Sequence, residues 1–127
     1  MKLKLLTNSY SVLRYAGDTP CPVDLNNPSE LLSITRTHEE FSIVCPRDQN
    51  LDAAPNKRED GWSAFKVEGP LDFALTGILS SIAAPLADAK ISIFALSTFD
   101  TDYILIKTTD IKKAEDVLTS SGFEIIE

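Results

Sequence analysis

Three short stretches of this sequence carry more polar chemistry than their place in a chain requires. The first is Ser97-Thr98-Phe99-Asp100-Thr101-Asp102, a run of hydroxyls and carboxylates around one aromatic. A tight turn needs only a Gly or Asn, although Ser, Thr and Asp are ordinary turn residues, so a solvated hairpin tip is the plainer reading. The second is Glu68-Gly69-Pro70-Leu71-Asp72, a turn leading into a helix, where free amides and the helix dipole suit a carboxylate. Gly69 there lets a backbone come close. The third is Ser81, four residues ahead of Pro85. The proline ring has no N–H and crowds the Ser81 carbonyl, leaving that oxygen and the nearby hydroxyl pointing out of the helix. A buried acceptor in that state calls for water or a ligand's ammonium group. A kink that merely curves the helix over a sheet accounts for the same proline equally well.

These features suit holding rather than catalysis. An α-amino acid presents a carboxylate and an ammonium ~3 Å apart, and each needs a charge-assisted partner. The turn containing Gly69, Leu71 and Asp72 suits the carboxylate; Asp100, Asp102 and the Ser81 carbonyl suit the ammonium. No Gly-rich phosphate loop and no G-x-S-x-G elbow is present. The single histidine, His38, falls in a short polar joint and is expected to be exposed. General base work would be left to shifted carboxylates, which a sequence cannot reveal. With one histidine and two distant cysteines, Cys21 and Cys45, no metal site is expected, and no cofactor. Both thiols are expected to be free.

Composition bounds the rest. A chain of 127 residues is one domain or two small ones, with a net charge of −7. That balance argues against nucleic acid, because the twelve Lys and Arg form only pairs such as Lys57-Arg58 and Lys112-Lys113. No apolar run approaches the ~20 residues of a membrane span, and MKLKLLTNSYSVL is too polar for a secretory segment. A cytoplasmic protein is expected.

The elements that must position the polar stretches can be read in order. Residues Lys2 to Tyr15 suggest two short strands bent at Thr7-Asn8-Ser9, and Ala16 to Glu30 reads as loop. Leu31–Arg36 and Glu40–Cys45 read as a hairpin joined by Thr37-His38-Glu39. From Pro46 to Gly61 the apolar pattern lapses, which places a boundary between a β-rich region, 1–60, and a second region, 61–127. Trp62–Glu68 then resumes as a strand. Helical periodicity begins at Phe73, with Ile78, Ile82 and Leu86 as its stripe and Asp72 as its cap. Ile91–Leu96 and Tyr103–Ile106 are nearly continuous apolar strands, as expected of strands covered on both faces or lying mid-sheet. Asp110 caps a second helix that ends at Ser121-Gly122, and Phe123–Ile126 is a last strand. The order from Trp62 is strand, helix, strand, strand, helix, strand. This is an α+β fold, the ferredoxin-like βαββαβ unit, with two helices on one face of a four-stranded antiparallel sheet.

At these residues the chain resembles the ACT domain family, the small-molecule regulatory modules of amino-acid metabolism. GPLDFALTGILSSIAAPLADAKISIFALSTFDTDYILIK is similar to the ACT subfamily of small bacterial proteins and of the tandem units in animal cytosolic arginine sensors. LLSITRTHEEFSIVCP resembles the strand-turn-strand segment that precedes that unit, so the first region looks like an incomplete ACT-like companion. The resemblance implies a ligand held between two ACT units, with the Ser-aliphatic pair matching Ser81 and Ile82, and the hairpin groups matching Thr98, Phe99 and Asp102. A chain with one such unit would then need a homodimer or a higher homo-oligomer. The implied protein is a non-enzymatic regulator that binds an amino acid and acts on a separate, unidentified protein. The alternative is an interaction module that keeps the fold and binds no small molecule.

Overall fold

The computed structural model describes residues 1–27, 29–68 and 77–127. The chain divides into two compact units, Met1–Thr7 with Trp62–Glu127, and Asn8–Gly61.

The Asn8–Gly61 unit is a small antiparallel sheet. Strands β2 (Tyr10–Tyr15), β3 (Ser33–Arg36) and β4 (Phe41–Pro46) follow β1 (Lys2–Leu5) in the chain. β4 lies between β3 and β2, with Ile34 opposite Ile43 and Leu13 opposite Ile43 on the other side. Leu13, Tyr15, Val23, Phe41, Ile43 and Cys45 form its core. The stretch Lys57–Gly61, where the apolar pattern lapses, is nonetheless extended. It is the start of β5 (Lys57–Val67), and its Lys, Arg, Glu and Asp side chains are exposed. A charged strand has no apolar alternation to betray it, and its pairing beside β2 supplies the order.

The other unit has the expected βαββαβ order: β5, α1 (Ile78–Asp88), β6 (Phe94–Ser97), β7 (Asp102–Lys107), α2 (Ile111–Ser120) and β8 (Glu124–Ile126). Its sheet takes in a fifth strand. β1 (Lys2–Leu5) lies between β5 and β8, antiparallel to the first and parallel to the second, giving the order β6-β7-β5-β1-β8. Leu3, opposite Val67, is wholly buried there. Both helices cover one face, where Leu3, Phe65, Val67, Ile104 and Ile106 meet Ile82, Leu86, Ala114 and Leu118. At about 25 cal/mol per Å² of apolar surface removed from water, this burial is the principal source of the unit's stability.

Three local expectations shift. β7 is central and buries Ile104, Leu105 and Ile106 completely, but β6 is an edge strand with alternating half-buried and exposed residues. Ile91 belongs to the core rather than to β6, because its N–H closes on the Leu86 carbonyl at the end of α1 after the left-handed Lys90, φ 61°. Asp110 stands at the cap position of α2 but makes no capping bond. A single 3₁₀ turn, Thr108–Asp110, runs into the helix and holds Asp110 in helical backbone, away from the extended geometry a capping carboxylate uses. α2 ends as expected: Gly122 adopts φ 98°, and the Phe123 N–H returns to the Leu118 carbonyl. The expected cap Asp72 and the expected helix start at Phe73 lie outside the described residues; the described helix follows Gly77. Among the described residues no helix is long and apolar enough to cross a membrane.

Candidate functional site

The β6–β7 turn is a self-bonded loop. The Thr98 N–H donates to the Thr101 carbonyl at 2.8 Å, and the Thr101 N–H donates to the Thr98 hydroxyl at 3.2 Å. At its base the Ser97 hydroxyl donates to the Asp102 carboxylate at 2.5 Å. Thr98 and Asp100 are exposed, and Phe99 stands 81% exposed at the tip. Asp102 is half-buried and forms no ion pair among the described residues. The turn therefore presents fixed hydroxyls, two carboxylates and an aromatic, with no basic side chain of its own.

One residue of this turn escaped the sequence reading. Thr101 is 5% exposed, and its hydroxyl donates to the Val67 carbonyl at 2.5 Å. The β5–β7 register ends at Lys66 opposite Tyr103, and the threonine satisfies the next carbonyl beyond it. This bond fastens the turn to the end of β5. A threonine among other turn hydroxyls has no signature that singles it out; only the register shows which hydroxyl meets a strand end.

The first turn of α1 starts on the same side. β6 runs from Phe94 toward the turn, and residues 89–93 join Phe94 to the end of α1, so the helix begins at the turn end of the sheet. Ser81 is exposed there, and its N–H donates to Gly77. Its hydroxyl donates back to the Ile78 carbonyl at 2.7 Å, which leaves the hydroxyl oxygen as an acceptor. Pro85 lies inside the helix and cannot donate to the Ser81 carbonyl. Both Ser81 oxygens therefore suit a cationic donor. Ile82 next to it is wholly buried in the helix–sheet core, so its side chain faces the sheet. Gly69, Leu71 and Asp72, the expected carboxylate-binding turn, lie outside the described residues. In the structure Val67, Glu68, the hairpin turn and the start of α1 gather at one end of one chain's sheet.

Cys45, on β4 opposite Ser11, is buried, and burial pushes its thiol up to about 11, out of nucleophilic range. Cys21 is exposed and also free. Among the described residues no group of three or more His, Cys, Asp or Glu is placed to hold a metal.

Comparison with known proteins agrees with the fold. The ACT domain model matches residues 57–120. The crystal structure of Atu0741 from Agrobacterium tumefaciens superposes with a TM-score of 0.86 at 38% identity, covering 98% of this chain and 91% of that one. Human CASTOR3P is 32% identical over 108 residues, 76% of this chain and 66% of its own length. The bovine cytosolic arginine sensor for mTORC1 subunit 1 is 29% identical over 91 residues, 65% of this chain. The chain spans just under two thirds of the first of these two curated relatives and 28% of the second. With a family model over half its length and the βαββαβ unit in place, this chain belongs to the ACT domain family.

Proposed function

We propose that this protein is a regulatory ACT protein that binds an amino acid and is not itself an enzyme. The observation that carries the reading is the Thr101–Val67 bond, which gathers the hydroxyl- and carboxylate-rich turn against the strand end from which the Glu68–Asp72 segment departs. Asp100, Asp102 and the Ser81 oxygens receive the ammonium, Thr98 contributes its hydroxyl, and Phe99 lies against the ligand's side chain. Gly69, Leu71 and Asp72 supply the carboxylate pole. The exposure of the turn and of Ser81 favours closure by a second copy, so the ligand is held at an interface in a homodimer. Binding then favours one arrangement of the two subunits, which a separate cytoplasmic protein reads. The similarity to an arginine sensor supports an amino acid as the class of ligand without fixing which one.

A thermal-shift screen with the twenty amino acids tests this. A ligand at 100 times its Kd raises stability by about 2.7 kcal/mol, so one or a few amino acids should raise Tm in a concentration-dependent way. Asp102→Ala should remove that rise while leaving the fold intact. Sedimentation at micromolar concentration should show a dimer. No response to any amino acid would leave the fold as an interaction module, and a strict monomer with ligand bound would remove the shared interface.

A further inference from the structure

The Asn8–Gly61 unit holds a second hollow that the ACT reading does not use. It is an open surface hollow of about 570 Å³, lined by Gly17, Asp18, Arg36, Thr37 and His38. Two loops make its walls, and both are fixed from within. In the β3–β4 turn the Thr37 hydroxyl accepts the Glu39 and Glu40 N–H groups at 3.1 Å each, and the Thr37 N–H donates to the Glu40 carbonyl. The facing loop is closed by the Thr19 N–H on the Ala16 carbonyl. Gly17 seats one wall on the other: a Cβ there would come within 2.9 Å of the His38 carbonyl oxygen and 3.1 Å of that of Thr37.

Arg36 is pinned twice. One terminal nitrogen donates to the Thr19 carbonyl, and the guanidinium carbon lies 4.3 Å from the centroid of the Phe41 ring. Among the described residues the other N–H donors of the fork meet no acceptor. Asp18 is exposed on the same hollow, and no ion pair joins it to Arg36. His38, also exposed, makes no side-chain bond there. Arg36 is exposed on the hollow as well, so the two opposite charges border it without pairing. A guanidinium held in place with donors to spare is suited to a carboxylate, because little freedom is lost on binding.

We propose that this hollow is a second binding site for a free α-amino acid zwitterion, with the carboxylate on Arg36 and the ammonium on Asp18. His38 borders the side chain and contributes selectivity. The site is independent of the β6–β7 turn and needs only one copy of the chain.

The test is an NMR titration of the ¹⁵N-labelled full chain with each of the twenty amino acids, glycine serving as the bare zwitterion. Acetate and methylamine serve as single-pole probes. The amides of Gly17, Asp18, Thr37 and His38 should shift saturably with at least one amino acid. Acetate and methylamine should each bind at least tenfold more weakly. Asp18→Asn and Arg36→Gln should each raise the Kd about tenfold, since each removes one charge-assisted contact. Asp18 is exposed, so its variant keeps the test valid if loss of the Arg36–Phe41 contact perturbs folding. Shifts at Thr98–Asp102 report the other site separately. No saturable shift around Gly17 and His38, acetate binding as well as glycine, or unchanged affinity in Asp18→Asn would each overturn the proposal, whatever the hairpin amides do.

Discussion

Replacing Thr101 by Val isolates the bond that fastens the β6–β7 turn to the end of β5. The side chains are close in shape, so the change removes the hydroxyl and little packing. The Thr101 hydroxyl donates to a Val67 carbonyl that lies beyond the last β5–β7 pair, and Thr101 is 5% exposed. Water therefore has poor access to replace the donor. Leaving a buried acceptor unsatisfied costs about 1–3 kcal/mol. A mid-range loss of about 2 kcal/mol lowers Tm by roughly 6–12 °C for a chain of this length. Differential scanning calorimetry reads this directly. Thr98→Val is the internal control: its hydroxyl serves the same turn but is exposed, so its loss should cost no more than about 0.5–1 kcal/mol. The same pair of variants reports on function, because Thr101→Val should also weaken any amino-acid response that depends on Asp102. Thr101→Val melting within ~1 °C of the unaltered protein, or no lower than Thr98→Val, would refute the reasoning.

Acid should act on the Asn8–Gly61 unit through Asp60. Its carboxylate accepts the Ser11 hydroxyl and lies 2.7 Å from Arg58 Nε, with Arg47 further off, and these partners lower its pKa. A depressed folded pKa gives stability that is present above the unfolded value of about 3.9 and is lost as pH falls through the folded value. Urea unfolding should therefore show Asp60→Asn less stable than the unaltered protein at pH 7, with the gap closing toward pH 2. A thiol titration at pH 8 should modify Cys21 alone in the folded protein and both cysteines in denaturant, because burial holds Cys45 up to about 11. Trp62 is 7% exposed and its indole N–H has no acceptor among the described residues. Trp62→Phe removes that donor while keeping a ring near Phe94 and Lys107, so it should cost well under the ~3–5 kcal/mol of a truncation to Ala. A loss of truncation size for Phe would show that the N–H is satisfied after all.

The elements whose burial is local and periodic were legible in the residues alone. Ile78, Ile82 and Leu86 recur at helical spacing because one face of α1 packs on the sheet, and the run Ile104-Leu105-Ile106 is apolar because β7 is central. The βαββαβ order followed from these, and Thr98, Phe99, Asp100 and Asp102 stood out because turns do not need so many polar groups. Tertiary structure alone decided the pairings between distant segments. Leu3 meets Val67, so β1 enters the sheet between β5 and β8 with no trace of that choice in its own four residues. The charged start of β5 takes its order from a neighbour rather than from its own alternation. Thr101 matters because it stands where the register stops, and Arg36 and Asp18 meet around one hollow only because Gly17 lets two loops touch. Side-chain periodicity records which way a residue faces; hydrogen-bond partners and loop contacts depend on chain segments far away, and a single sequence does not encode them locally.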